Sequence, residues 1–203
     1  MLARIQANIV AEKIKEEFSN INIEFLTKET SGDIDLSTPL HKMPDPGVFT
    51  NDIREELLKN KADLAVHSWK DLPVELQEGT EIVTTLKRED PRDLLIFKKG
   101  SIEKKNIKIF TSSPRRKENL SNFLPEFLSW KPKKVNFIDV RGNIQTRISK
   151  LFHSKEDGLV IALAAMKRLL SSPQFIEEET HLLNFLQDSK WMIIPLSENP
   201  AAP

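Results

Sequence analysis

Leu2, Ile5, Ile9, Ile14 and Phe18 recur at close to helical spacing, and Glu and Lys fill the opposite face from Glu12 to Glu17. The chain therefore opens on an amphipathic helix. Ile21 to Leu26 alternates as a strand does, and Thr30-Ser31-Gly32-Asp33 carries turn chemistry. Two prolines and a glycine within Lys42-Met43-Pro44-Asp45-Pro46-Gly47 break both helical and strand ladders. Val48 to Asn60 reads as a helix with Phe49, Ile53, Leu57 and Leu58 inward. The apolar run Ala62 to Val66 has the shape of a buried strand and ends abruptly in His67-Ser68-Trp69-Lys70-Asp71. Glu81 to Leu86 predicts another short strand, leading to the charged crossover Arg88-Glu89-Asp90-Pro91.

From there strands and helices alternate. The pattern predicts strands over Leu94 to Phe97, Ile107 to Phe110, Val135 to Val140 and Leu159 to Leu163. It predicts helices over Arg115 to Phe123, Ile144 to Leu151, Met166 to Leu170 and Phe175 to Leu186, with an extended, proline-rich segment from Trp191 to Pro203. Strands alternating with helices imply parallel βαβ units. The predicted class is α/β in two lobes: 1–87 and 88–190, each with a mostly parallel sheet flanked by helices, followed by a segment, 191–203, that returns toward the first lobe. A chain of 203 residues accommodates two lobes of roughly 100 residues each.

Composition narrows the function. Thirty basic and thirty acidic residues cancel, which removes any global electrostatic reason to expect nucleic acid or an anionic membrane as partner. The longest apolar run, Leu159 to Met166, is far too short to span a bilayer, and no secretory leader pattern opens the sequence, so a cytoplasmic location is expected. The chain has no cysteine and only four dispersed histidines, His41, His67, His153 and His181, which gives a disulfide framework or a metal site no support.

Chemistry is expected where apolar strands stop at polar residues, because ligand crevices in open α/β sheets lie at the carboxyl ends of parallel strands. Three such transitions occur. Val66 runs into His67-Ser68-Trp69-Lys70-Asp71; Phe110 runs into Thr111-Ser112-Ser113-Pro114-Arg115-Arg116; Val140 runs into Arg141-Gly142-Asn143-Ile144-Gln145-Thr146-Arg147. Arginine clusters suit carboxylate ligands, since the planar fork takes a carboxylate bidentately and stays charged. Ser112 and Ser113 precede a helix and offer hydroxyls beside free backbone N–H groups. Gly142 permits close approach of backbone to ligand. On residue type alone, Asp71 also reads as a turn or cap aspartate, Lys70 as a solvated lysine, and Arg115-Arg116 as a solvated helix face.

These three blocks, in this order, resemble those of the hydroxymethylbilane synthase family, also called the porphobilinogen deaminase family. Arg88-Glu89-Asp90-Pro91-Arg92-Asp93 between them and Ala164-Ala165-Met166-Lys167-Arg168-Leu169 after them add to the resemblance. It extends over nearly the whole chain and covers the first two of the family's three domains. It implies the type II periplasmic-binding-protein arrangement for the two lobes. It also implies a transferase that condenses four porphobilinogens into a linear tetrapyrrole with release of ammonia. The resemblance assigns Asp71 as the catalytic carboxylate, stabilising positive charge at pyrrole nitrogen and assisting proton transfer. Lys70, Ser68, Ser113, Arg115, Arg116, Arg141 and Gly142 fall to a dipyrromethane cofactor, and Lys42, Arg147 and Arg168 to the carboxylates of porphobilinogen and pyrrole oligomers.

Departures from the family accompany the match. The loop lysine expected before Gly-Leu-Phe falls on Pro46, and Pro114 stands where leucine is usual, at a position that suits the first turn of a helix. The family's opening strand and its cysteine-bearing third domain, which anchors the cofactor as a thioether, have no counterpart in the sequence. The expectation is a truncated or split synthase, inactive as an isolated chain. Two alternatives stand beside it: a non-catalytic anion-binding module, and one half of a two-chain enzyme whose partner supplies the third domain.

Overall fold

A computed structural model describes residues 2–28, 50–76 and 78–201. The chain divides into two compact units, Met1–Arg88 with Pro203, and Glu89–Ala202. Lys42, the turn at Thr30 to Asp33 and the Pro44 to Gly47 segment lie outside the described residues.

In the first unit, α1 (Leu2–Glu17) and α2 (Asn51–Leu58) are the regular elements among the described residues. Ala11 is the buried position of α1, and Glu56 is the buried position of α2. Glu56 is held by Lys28 at 2.8 Å and Lys61 at 3.4 Å, so its charge is paired rather than stranded. The strands expected over Ile21 to Leu26, Ala62 to Val66 and Glu81 to Leu86 do not form: all three segments are irregular. Ile21, Phe25, Leu26, Leu64, Ile82, Val83 and Leu86 are exposed. Alternation supplies a strand with one apolar face, but a strand also needs a ladder neighbour for its N–H and C=O groups. None of these segments has one among the described residues. In place of a strand end, Ser68 leads into a single 3-10 turn, Trp69–Asp71, closed by Asp71 N–H to the Ser68 carbonyl at 2.9 Å.

The second unit is built on a five-stranded sheet in the order β3-β2-β4-β1-β5. Its strands are β1 (Asp93–Phe97), β2 (Asn106–Phe110), β3 (Lys134–Ile138), β4 (Gly158–Ala162) and β5 (Lys190–Ile193). Its helices are α3 (Pro114–Phe127), α4 (Ile144–His153), α5 (Leu163–Leu170), α6 (Pro173–Glu178) and α7 (Thr180–Asp188). The helix expected over Phe175 to Leu186 breaks at Glu179, whose φ of −116° and ψ of 39° lie outside the helical region.

The sheet is mixed, not mostly parallel. β2 is parallel to β3 and to β4, whereas β1 is antiparallel to β4 and to β5. The parallel part follows from crossover helices α3 and α4, as the sequence pattern requires. β1 differs because no helix separates it from β2; only a short 3-10 turn, Lys99–Ser101, and its flanks do. The reversed direction has a consequence for the site. It sets Asp93, the first residue of β1, opposite Ala162, the last of β4, at the carboxyl ends of the parallel strands.

Every residue of β1 is buried, as expected of a strand covered on both faces. Leu95, Phe97, Ile107, Ile109, Leu120, Leu124, Leu128, Val160 and Ile194 form one core cluster, joined by Phe123, Trp130 and Val135 at its margin. α4 packs on β4, α5 and α7, where Ile148, Leu151, Met166, Leu169, Leu182 and Leu186 are buried. At the far end of the sheet Asp157 fastens β4 to its neighbours. Its carboxylate accepts from Ser101 Oγ at 2.6 Å, Lys104 Nζ at 2.7 Å and the Lys108 N–H at 2.7 Å. The segment 191–203 begins as β5, and its continuation, Ile194 to Pro200, is bonded back to β1 and α3, starting with Ile194 N–H to the Asp93 carbonyl at 2.9 Å.

Candidate anion-binding site

The loop from β2 to α3 and the loop from β3 to α4 meet through Ser112. Its hydroxyl donates to the Val140 carbonyl at 2.7 Å and accepts from the Val140 N–H at 2.8 Å, so the two loops are fixed to one another. Ser113 caps α3, its hydroxyl accepting from the Arg116 N–H, and Pro114 takes the first helical position, where its missing N–H costs nothing. Gly142 adopts φ of +107°, a region that L side chains avoid, and an added Cβ would lie 2.7 Å from Thr146 Cγ2. Asn143 caps α4 by accepting from the Thr146 N–H at 2.9 Å.

Four predicted arginines stand on these loops and helix starts. Arg116 grips Asp93 bidentately, Nε to Oδ2 at 2.9 Å and Nη2 to Oδ1 at 2.7 Å. Arg115 Nη2 reaches the same Oδ2 at 2.9 Å, while its Nη1 donates to Asn199 Oδ1 at 2.8 Å and to the Pro200 carbonyl. Asn199 Nδ2 completes Asp93 at 2.7 Å. Burial alone would raise the Asp93 carboxyl, but the bonds from Arg116, Asn199 and Arg115 outweigh it and hold the group below the usual carboxylate range. Two guanidiniums on one carboxylate leave the pair with a net positive charge.

Arg147 is tied to the loop by Nε to the Gly142 carbonyl at 2.7 Å. Burial, with Arg116 and Arg141 nearby, depresses it below the ordinary guanidinium range. An array in which cations crowd each other gains from an anion that relieves the repulsion. The structure thus brings together Ser113, Arg115, Arg116, Arg141, Gly142 and Arg147. Arg168, in the last turn of α5, is half-buried and is not among the donors on Asp93.

The first unit carries the other predicted residues. Asp71 is half-buried in its 3-10 turn; burial raises its carboxyl, against the lowering charges of Lys70 and His67. Burial also pushes His67 down, opposed by Asp71. Ser68 exchanges hydrogen bonds with the Gln6 side chain of α1 at 3.0 and 3.2 Å. Lys70 is exposed and turned into solvent with Trp69.

Sequence reading assigns no role to three residues of these clusters: Asn199, Gln6, and Asp93, which enters it only as the end of the Arg88 to Asp93 block. Only Asp93 leaves a trace, as an acid heading a wholly apolar strand, where an unpaired charge would be costly.

The second unit is thus an α/β domain with a cluster of arginines fixed beyond the carboxyl ends of β2 and β3. Residues 1–193 match the family described as porphobilinogen deaminase, dipyromethane cofactor binding domain, and the chain belongs to that family. It is 45% identical over 171 residues to the porphobilinogen deaminase of Caldicellulosiruptor saccharolyticus, covering 83% of this chain and 56% of that protein. It is 38% identical over 189 residues to that of Rickettsia bellii, covering 92% and 59%. The corresponding protein of Syntrophomonas wolfei is 39% identical over 171 residues, covering 83% and 53%. The chain therefore spans little more than half the length of these relatives. Among the described residues no helix is long and apolar enough to cross a membrane.

Proposed function

We propose that the chain serves a cytoplasmic hydroxymethylbilane synthase, the transferase that joins four porphobilinogens with loss of ammonia, and that the two units are its periplasmic-binding-type lobes. The observation that carries this reading is the preassembled cluster of Arg115, Arg116, Arg141 and Arg147 at the ends of β2 and β3, in a chain that belongs to the family. Each pyrrole ring of the substrate bears an acetate and a propionate, and fixed guanidinium forks meet those groups without reorganisation.

The donor set fits a dipyrromethane, whose side chains are carboxylates: Ser113, Arg115, Arg116 and Arg141 would hold it, with Gly142 clearing space. When bound, the group supplies the primer to which substrate is added. Its covalent anchor requires a thiol, and the sequence contains no cysteine, so the thiol comes from a separate polypeptide segment. Arg147, Arg168 and Lys42 are assigned to substrate carboxylates. Asp71 works differently. Its half-buried carboxylate, poised by burial to exchange a proton, stabilises the positive charge that develops at pyrrole nitrogen and accepts or returns the proton there. Ser68, braced by Gln6, and Lys70 border it.

The test is calorimetric titration of the chain with porphobilinogen at low and high salt, alongside Arg141→Ala and Arg116→Ala. Binding that weakens with salt and with each substitution supports the reading. Binding indifferent to both would overturn it.

A further inference from the structure

We propose that Asp93, completed by Asn199, is the positioning residue of the arginine pair, and that it sets the preference of the site for ligands bearing several carboxylates over those bearing one. The inference rests on the carboxylate-binding reading above and extends it to residues outside the ligand-contacting set.

Asp93 is set to hold the arginines and not the ligand, because it is buried, carries the same sign of charge as a carboxylate ligand and is ringed by four donors. A carboxylate has about four lone-pair sites. Arg116 Nε, Arg115 Nη2 and Asn199 Nδ2 converge on Oδ2 and Arg116 Nη2 takes a site on Oδ1, all at 2.7 to 2.9 Å. The residue is 3% exposed, so no solvent competes. Its own place is fixed by the register of β1, Asp93 opposite Ala162. Asn199, at 1% exposure, is as firmly held. Its backbone N–H donates to the Pro195 carbonyl at 3.0 Å, and its Oδ1 also accepts from Asn119 at 3.2 Å.

The arginines are not used up. A guanidinium has five N–H groups. The bonds to Asp93 and to the Val160 carbonyl occupy three on Arg116, and those to Asp93, Asn199 and Pro200 occupy three on Arg115. Each therefore keeps two donors for an incoming carboxylate. With both forks pinned to one buried acid, their spacing is set before ligand arrives, and a polycarboxylate engages both without ordering two long side chains. A monocarboxylate engages one fork and gains little from the spacing.

Charge and position are separable by substitutions that conserve charge. On the full 203-residue chain, dissociation constants for tricarballylate and for acetate are measured by NMR titration, in wild type, Asp93→Glu, Asn199→Ala and Arg116→Ala. The ratio of the two constants is the readout, because lost stability in a protein that remains folded does not change it. Asn199→Ala and Asp93→Glu are expected to reduce the preference for tricarballylate by roughly threefold to tenfold. The Arg115 and Arg116 side-chain Nε–Hε resonances should exchange faster with solvent. If Asp93→Glu does not fold, Asn199→Ala decides. A ratio unchanged in folded Asn199→Ala, with Arg116→Ala lowering it, would overturn the positioning role and leave the carboxylate-binding reading standing. A wild-type chain that binds neither probe would overturn both.

Discussion

Arg116 and Asp93 form a two-point contact, Nε to Oδ2 at 2.9 Å and Nη2 to Oδ1 at 2.7 Å, between the first turn of α3 and the first residue of β1. The pair is nearly out of solvent, with side-chain exposures of 13% and 3%. Removing Arg116 takes two charge-assisted bonds from Asp93 but leaves those from Arg115 and Asn199, so Arg116→Ala should cost about 1.5–3 kcal/mol of stability. A urea midpoint lowered by less than the equivalent of 1 kcal/mol would show that the pair adds little to the fold.

Acid sensitivity follows from the same carboxylate and from Asp157 at the opposite end of the sheet. At Asp157 burial pushes the carboxyl up, but Lys104, Ser101 and the Lys108 N–H prevail and hold it low. A carboxylate depressed in the folded state binds its proton more tightly when unfolded. Its stabilisation is therefore complete above the unfolded value, about 3.9, and is lost as pH falls through the folded one. Unfolding free energy measured from pH 6 downward should fall below about pH 4, and Asp157→Asn should flatten part of that slope. An unaltered slope in that variant would assign the acid sensitivity elsewhere.

The second half of the sequence announced its strands and helices because its strands have neighbours and its apolar stripes have a core to enter. The first half carries the same alternation at Ile21 to Leu26 and Glu81 to Leu86, yet no ladder partner meets these segments among the described residues, and pattern alone cannot supply one. The direction of β1 was equally hidden, since Leu94-Leu95-Ile96-Phe97 reads identically in a parallel or an antiparallel strand. Arg115, Arg116, Arg141 and Arg147 were singled out through the family resemblance of their blocks, since on residue type alone Arg115-Arg116 reads as a solvated helix face. Asn199 was not: its role exists only because Ile194 to Pro200 folds back on Asp93, a contact across more than a hundred residues.

Gly142 offers a test of loop geometry. Alanine there meets Thr146 and must hold φ near +107°, so Gly142→Ala should destabilise by about 1–3 kcal/mol and displace the Arg141 and Arg147 backbones. Weaker binding of porphobilinogen and a lower thermal midpoint are expected together. A neutral substitution in both measurements would show that the loop adapts.

The cofactor anchor can be checked by mass. The sequence holds no cysteine, so the purified chain should show the mass of its sequence and no colour with an acidic aldehyde reagent for pyrroles. A covalent adduct of two pyrrole rings would establish an attachment other than a thioether.

Asp71 separates charge stabilisation from binding. Asp71→Asn preserves size and much of the hydrogen bonding but removes the negative charge. In an assembly that turns over porphobilinogen, the rate should fall on the order of 10²–10⁴-fold while substrate affinity changes little. Stability should move the other way. Burial raises the Asp71 carboxyl in the folded chain, so ionising it opposes folding: its contribution is fully favourable below the unfolded value and is lost as pH rises through the folded one. At neutral pH the asparagine variant should therefore be no less stable than wild type, as read from thermal unfolding at pH 7. Near wild-type turnover in Asp71→Asn would remove the residue from catalysis. A loss of turnover matched by a loss of folding would assign it to the fold.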